Sequence, residues 1–166
     1  MGRNEDFSDY VWARWPRLLR SAVLLGCSHA EAEDVVQTAL MRCLVNWGKV
    51  ERAEDRDAYV HRVLINTFTS SRRRRWTGEL AVSMMPEGAD VDETTAMDTA
   101  DAVLRSLSKL SHDQRTVVVL RYYAHLSEQQ MAAVVGVAPG TVKSRLSRAL
   151  KVLAGDPQLA ELRGTP

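Results

Sequence analysis

The stretch LSEQQMAAVVGVAPGTVKSRLSRALKVL, residues 126–153, determines the architecture of the C-terminal part of this 166-residue chain. Ser127 and, three residues later, Gln130 form a capping box, in which each side chain satisfies a backbone N–H at the start of a helix. That short helix is expected to end at Gly136, and Pro139 stands where a second helix begins, since the first helical residue needs no N–H. The spacing predicts two helices joined by a three-residue turn.

The second helix of this motif has two chemically different faces. Apolar residues at helical spacing are expected to face the core, namely Val142, Leu146, Ala149, Leu150 and Leu153. The other face carries hydroxyls and cations, namely Thr141, Lys143, Ser144, Ser147, Arg148 and Lys151. Such side chains donate to phosphates and read base edges in a major groove. The pattern favours a DNA-reading face over its alternative, a solvated basic face on a structural helix.

Helical patterns also fill most of the remaining chain, and two more capping boxes begin at Ser28 and at Ser111. We expect helices at residues 7–25, with a kink or break at Pro16, and at 30–47, 57–75, 100–109, 112–123, 128–135 and 139–153. The predicted fold class is all-α, with two small helical domains joined by an acidic flexible linker. The C-terminal domain contains the helix-turn-helix.

Charge divides the chain in the same way. Residues 1–77 contain 13 basic and 10 acidic side chains, residues 78–100 contain no basic and 6 acidic ones, and residues 101–154 contain 8 basic and 3 acidic ones. The formal net charge of +1 therefore conceals an acidic segment between two basic blocks. We expect domains at 1–77 and 99–154, a linker at 78–98 and a tail at 155–166. One hypothesis is that the linker acids shield the basic faces in the free protein.

The helix expected at 57–75 carries a second candidate surface for nucleic acid. Beside its apolar stripe runs a face with an aromatic ring, an amide and cations, namely Tyr59, Arg62, Asn66, Thr69 and Arg73. Rings stack on unstacked bases and amides read their edges, so single-stranded nucleic acid fits this face. The four arginines at 72–75 suit phosphates of the adjoining duplex. A solvated helix end with cations that compensate the helix dipole is the alternative.

Several other classes of protein lack support in the sequence. No apolar run approaches the 18 or so residues that cross a bilayer, and the start has no apolar signal region, so we expect a cytoplasmic protein. Cys27 and Cys43 lie inside helical patterns and are expected to be buried free thiols. The four histidines stand singly, and no nucleophile, base or paired-carboxylate arrangement is apparent. Catalysis, a metal and a cofactor are therefore not expected.

Three segments resemble the extracytoplasmic-function (ECF) group of bacterial sigma-70-type sigma factors, the initiation subunits of RNA polymerase. They are AEDVVQTALMRCLVNW, AYVHRVLINTFTSSRRRR and LSHDQRTVVVLRYYAHLSEQQMAAVVGVAPGTVKSRLSRAL. The similarity covers residues 7–75 and 100–153. It departs mildly at Tyr59, where many members carry Trp, and at Gln130 and Met131, where Glu and Ile are common. The resemblance implies a non-enzymatic protein that binds core RNA polymerase and promoter DNA, without a small-molecule substrate.

The resemblance also implies roles for individual residues. Contact with core polymerase would involve Asp34, Gln37 and Thr38. Melting and reading of the −10 element would involve Val50, in a loop that shapes a base pocket, together with Tyr59, Arg62, Asn66, Arg72, Arg73, Arg74 and Arg75. Reading of the −35 element would involve Thr141, Lys143, Ser144, Ser147 and Arg148. With no zinc-binding anti-sigma motif and no extra C-terminal domain in the sequence, regulation is expected from a separate anti-sigma factor or from expression.

Two other functions fit parts of the pattern. A stand-alone helix-turn-helix regulator would use the N-terminal helices as a dimerisation or ligand module and would bind a palindromic duplex. An RNA-binding or enzyme-accessory protein would use the aromatic and arginine face on single strands without polymerase. The sigma-factor interpretation uses both domains to read DNA. A linker of 21 residues spans at most about 70 Å when extended, which is enough to hold two DNA-reading domains roughly two turns of DNA apart.

Overall fold

The computed structural model describes residues 2–77 and 95–163, and every regular element within these ranges is helical. The N-terminal domain consists of α1 (Arg3–Leu25), α2 (His29–Val45), α3 (Trp47–Glu51) and α4 (Arg56–Thr77). The C-terminal domain consists of α5 (Thr95–Ser108), α6 (His112–Val118), a π-helical turn (Val119–Tyr123), α7 (Glu128–Val135), α8 (Pro139–Ala154) and α9 (Pro157–Arg163). The expected all-α class is confirmed. Most of the predicted linker, with the proposed shielding by its acids, lies outside the described residues.

The three capping boxes form as the sequence predicts. On α2 the Ser28 hydroxyl accepts from the backbone N–H of Glu31 at 3.3 Å. Serines cap α6 and α7 in the same way, with the N–H groups of Gln114 and Gln130 at 3.2 Å from the serine oxygens. Capping depends on residues three apart, which explains why these helix starts are readable from the sequence alone.

Of the kink or break expected at Pro16, the break is absent, because α1 continues through this residue as one helix. Proline removes only the hydrogen bond that would reach the carbonyl of Trp12, four residues earlier. Pro16 is exposed and the Trp12 side chain is 83% exposed, so this carbonyl lies on the solvent side of the helix. Leu18 and Ala22, which follow the proline, are buried on the opposite side and pack α1 against the core.

The core of the N-terminal domain forms where α1, α2 and α4 pack around Trp47. The Trp47 side chain is fully buried, and the rings of Phe7 and Tyr10 lie 5.3 and 5.5 Å from it. Cys27 and Cys43 are buried free thiols, as expected. The helix predicted at 30–47 ends two residues early, and Trp47 instead begins the short helix α3.

The core of the C-terminal domain forms between α6, α7 and α8, with Leu120, Met131 and Val142 fully buried. Leu150, which periodicity placed in the core, is 39% exposed. The predicted tail includes α9, which packs on α5. Asp156 accepts from the Lys109 ammonium at 3.0 Å and from the Gln158 backbone N–H at 3.0 Å, so one buried carboxylate caps α9 and ties it to the domain.

The helix predicted at 112–123 changes character half-way. After Val118 it widens into the π-helical turn, where the N–H of Ala124 donates to the carbonyl of Val119 at 3.1 Å, five residues back. His125 follows with a φ of 57°, in the left-handed region, and reverses the chain toward α7. The widened turn brings the carbonyl of Tyr123 to the N-terminal domain, where Arg17 donates to it at 3.0 Å.

Candidate nucleic-acid interface

Helix α8 presents the predicted DNA-reading face to solvent. Val142 and Ala149 are fully buried on its inner side. Gly136, with a φ of 73°, ends α7 in a conformation that glycine adopts without strain, and so sets the turn before α8. All of the predicted −35 residues are exposed on the outer side, namely Thr141, Lys143, Ser144, Ser147 and Arg148. Hydroxyls and cations here are available to a DNA groove.

One residue of this surface was missed by the sequence analysis. Arg145 lines a groove of about 500 Å³ between the start of α6 and the first turns of α8, together with Thr141 and Arg148. Its guanidinium forms an ion pair with Asp113 of α6, with Nη2 and Oδ2 3.4 Å apart. Arg145 lies one helical turn from both Thr141 and Arg148, on the same side of α8. This spacing in the sequence could have identified Arg145 as part of the surface.

Helix α4 carries the second predicted face. Arg62 and Asn66 are exposed on it, and Tyr59 is half-buried. Val50, expected in a loop that shapes a base pocket, lies instead in α3 and is fully buried. Because α3 packs against α4, the buried Val50 side chain supports α4 from the core and is not part of the exposed face of that helix.

The arginine run at 72–75 ends α4, and all four residues are exposed. The Arg72 guanidinium lies 4.9 Å from the centre of the Phe68 ring, and its Nη2 donates to the carbonyl of Gly26 at 3.5 Å. Gly26 has a φ of 118°, a conformation that favours glycine, and a Cβ on it would stand 2.7 Å from Arg72 Nη2 and displace the guanidinium. Arg75 forms an ion pair with Glu31 on α2. The run is thus anchored on the N-terminal domain.

The outer face of α2 is the third candidate surface. Asp34, Gln37 and Thr38 are exposed on it, as predicted. The same stripe continues through Met41 and Val45, whose side chains are 68% and 77% exposed. Leu44 is 37% exposed and borders the stripe. An apolar patch with a polar rim is typical of a protein-binding surface. The sequence analysis did not identify Val45 as part of this surface, although it follows Asp34, Thr38 and Met41 at helical spacing.

The two domains touch along a contact that we call the interdomain seam, formed by α1 and α4 on one side and α6, the π-helical turn and α7 on the other. Gln130 Nε2 donates to Asp55 Oδ2 at 2.8 Å, while Asp55 Oδ1 accepts from the N–H of Ala58 at 3.0 Å. The start of α7 is thereby tied to the start of α4. Arg115 Nε donates to the carbonyl of Leu24 at 2.6 Å and holds the end of α1.

Aromatic rings also meet at the seam. The ring of His112 on α6 stacks against Phe68 on α4, with centroids 5.5 Å apart. Burial lowers the pKa of His112; Asp113 opposes this shift, and the cations of Arg72 and Arg115 add to it. The neutral imidazole is thus favoured in this stack.

A second histidine is buried inside the N-terminal domain beside the seam. His61 is 4% exposed; its Nδ1 lies 2.8 Å from the carbonyl of Asp57, and its Nε2 lies 3.4 Å from the Ser21 hydroxyl. A carbonyl only accepts, so Nδ1 carries the proton and Nε2 accepts from Ser21. Burial lowers the pKa of His61, although the carbonyl and carboxylate of Asp57 oppose the shift. The network fixes the first turn of α4 against α1.

Sequence comparisons match both domains to one family. The model for sigma-70 region 2 matches residues 12–77, and the model for sigma-70 region 4 matches residues 100–153. The RNA polymerase sigma-E factor of Streptomyces coelicolor is 40% identical over 151 residues, which cover 90% of this chain and 85% of that protein. The chain belongs to the ECF group of sigma-70 factors. The ECF sigma factor SigL of Mycobacterium tuberculosis is 35% identical, covering 82% of this chain and 80% of its own length.

A solved structure extends the likeness to the arrangement of the two domains. The sigma factor RpoE of Bartonella quintana, crystallised in complex with the anti-sigma factor NepR, superposes with a TM-score of 0.70 at 30% identity. The superposition covers 90% of this ECF sigma factor and 94% of that chain. A stand-alone helix-turn-helix regulator is not favoured, because the matches include the N-terminal domain as fully as the C-terminal one.

Within residues 2–77 and 95–163, no three or more histidine, cysteine, aspartate or glutamate side chains lie close enough together to hold a metal ion. In the same ranges, none of the helices combines the length and the apolarity needed to cross a membrane.

Proposed function

We propose that this ECF sigma factor binds core RNA polymerase through the outer face of α2 and directs initiation by reading a −35 element with α8 and a −10 element with α4. The observation that carries the proposal is the presence of two exposed faces suited to nucleic acid, one on each domain. A duplex-binding regulator needs one such face. A sigma factor needs both, and a third surface for polymerase.

Helix α8 is the reader of duplex DNA in this proposal. Its exposed hydroxyls at Thr141 and Ser144 lie near the helix start, where backbone N–H groups and the helix dipole favour a phosphate. Arg148 and Lys143 are long enough to reach base edges, and an arginine placed on guanine gives a two-bond contact. We therefore assign Arg148 to base recognition and the hydroxyls to positioning on the backbone.

Helix α4 is the reader of melted DNA. Asn66 has the donor and acceptor needed for a base edge, and Arg62 lies one turn away on the same exposed face. The half-buried Tyr59 offers part of its ring for stacking. The arginines at 72–75 follow on the same helix and bind the phosphates of the adjoining duplex. Val50 acts from the core, by supporting α4.

The outer face of α2 is the polymerase-docking surface. Met41 and Val45 provide the apolar centre, and Asp34, Gln37 and Thr38 provide a polar rim. Burial of exposed apolar side chains supplies most of the free energy of association in such interfaces. The docking residues all belong to α2, and the reading residues of α4 and α8 are exposed elsewhere, so docking on α2 leaves both DNA-reading helices available.

Promoter binding requires the interdomain seam to open. Elements about two helical turns apart are separated by roughly 70 Å, whereas the seam holds the starts of α4 and α7 within hydrogen-bond distance. The closed arrangement is then that of the protein away from its promoter. The likeness to RpoE in its anti-sigma complex supports a separate anti-sigma partner that binds the closed arrangement.

Co-elution of the purified protein with sigma-free core polymerase, followed by transcription from a library of genomic promoter fragments, tests the proposal. We expect a stable complex and transcripts from a subset of fragments that share two elements. Val45→Asp should abolish co-elution, while Ala13→Asp, the same charge on an exposed position of α1, should not.

Two results would contradict the proposal. If the protein fails to bind core polymerase yet binds duplex DNA tightly by itself, it is a stand-alone regulator. If it binds single strands of any sequence and stimulates no transcript, the accessory RNA-binding alternative explains it better.

A further inference from the structure

The groove between α6 and α8 contains an acidic side chain on a surface otherwise suited to DNA. Ser111 and Asp113 line it from α6, and Thr141, Arg145 and Arg148 line it from α8. Asp113 is the one acidic residue among the described residues that line this groove. A carboxylate repels DNA phosphates, so the charge of Asp113 beside the reading helix by itself weakens binding to any duplex.

Asp113 is placed to control Arg145. Its Oδ2 lies 3.4 Å from Arg145 Nη2, with side-chain exposures of 60% for the aspartate and 26% for the arginine. The carboxylate therefore lies toward solvent, at the mouth of the groove, and the guanidinium lies against the helices. A guanidinium has five N–H donors in a rigid plane, so one contact at Nη2 restrains the position of the group and leaves the remaining donors for DNA.

The ion pair affects promoter and non-promoter DNA differently. Non-specific binding depends on cations that reach whichever phosphates are nearest. Arg145 does not contribute to this non-specific binding, because its ion pair with Asp113 would have to break before it could reach the phosphates of a loosely docked backbone. On a correctly docked element, the oriented donors bind without breaking the ion pair.

We propose that Asp113 is a positioning residue that makes Arg145 a selective contact of the −35 reading surface. The inference rests on the proposed function, since it requires α8 to read duplex DNA. It adds two residues, one of them acidic, to a surface that sequence reasoning built from hydroxyls and cations alone.

The test uses the full chain with core polymerase, on a fragment that this holoenzyme transcribes and on the same fragment with its −35 element scrambled. Asp113→Asn releases Arg145 to bind one more phosphate. One added phosphate contact strengthens binding about fivefold at 0.15 M salt and steepens the slope of log K against log salt by about 0.9. We expect this gain on scrambled DNA and less than twofold on the promoter, so that selectivity falls about fivefold.

Three variants separate positioning from charge. Asp101→Asn removes the same charge from α5, outside the groove, and should leave selectivity unchanged. Asp113→Glu keeps the carboxylate and should restore selectivity. In an Arg145→Gln background, Asp113→Asn should have no further effect, because the two residues act as a unit. Co-elution with core polymerase and the thermal unfolding midpoint check that each variant is folded.

Unchanged selectivity and salt slope in folded Asp113→Asn would overturn the role of Asp113. An equal effect of Asp113→Asn with and without Arg145 would also overturn it, since only bulk charge would then matter. A wild-type holoenzyme that transcribes no fragment selectively would instead overturn the proposed function, and this inference with it.

Discussion

A substitution at Gln130 is expected to open the interdomain seam without disturbing the start of α7. Gln130 Oε1 accepts from the N–H of Ser127 at 2.9 Å and completes the cap of α7, while its Nε2 donates to Asp55 across the seam at 2.8 Å. Glutamate serves equally well in a capping box. Gln130→Glu therefore preserves the local helix start and replaces the contact between domains by two carboxylates.

The size of the effect follows from this geometry. A hydrogen bond to a charged acceptor contributes about 1.5 to 3 kcal/mol. Two like charges about 4 Å apart repel by about 1 kcal/mol in bulk water and by more beside a protein surface, where the effective dielectric constant is lower. Together these changes destabilise the closed arrangement by at least about 2.5 to 4 kcal/mol, roughly a 100-fold to 1,000-fold change in its ratio to the open one.

Small-angle X-ray scattering of the free protein measures the outcome. A compact chain of this length has a radius of gyration of about 15 Å. The wild type should lie near that value and Gln130→Glu well above it. Gln114→Glu makes the same change in the capping box of α6 and should match the wild type. Equal radii for Gln130→Glu and wild type would refute the reasoning, as would a wild type that is already extended.

Three further predictions concern single residues. Burial lowers the pKa of His61 from 6.5, so folding stability is full above that pH and falls below it, by at most about 1.4 kcal/mol per pH unit for one proton. Urea unfolding between pH 7.5 and 5.5 should show a shallower fall for His61→Gln, and parallel falls would contradict this. Asn66→Ala should reduce permanganate reactivity of the −10 region while −35 binding persists; equal loss of both would place Asn66 elsewhere. Arg148→Ala should cost about 1 to 3 kcal/mol on one −35 base pair, whereas uniform loss across sequences would make it a phosphate contact.

Local signals in the sequence predicted the helix starts and the reading face of α8 well. Capping boxes and the proline at the start of α8 act within four residues, so they mark a helix start whatever the surrounding tertiary structure. The exposed positions of α8 followed from helical spacing against Val142 and Ala149. The same reasoning failed at Leu150, because it lies at the edge of an apolar stripe, where burial depends on the neighbouring helix.

Long-range features could not be predicted from spacing. The seam joins Asp55 to Gln130, 75 residues apart, and neither residue stands out from its neighbours in composition. Helix α9 spans too few residues to be distinguished from a tail until Asp156 is seen to bind Lys109. Val50 looked like a loop residue because α3 is a single short helix with no side-chain cap.

The way in which the two domains are joined has a consequence for self-association. Only residues 78–94 separate the end of α4 from the start of α5, so the seam forms within one chain at an effective concentration of about millimolar. The contacts do not depend on which copy supplies each domain. A chain shortened until its linker no longer spans the seam would therefore exchange domains with a second copy and form a swapped dimer at high protein concentration.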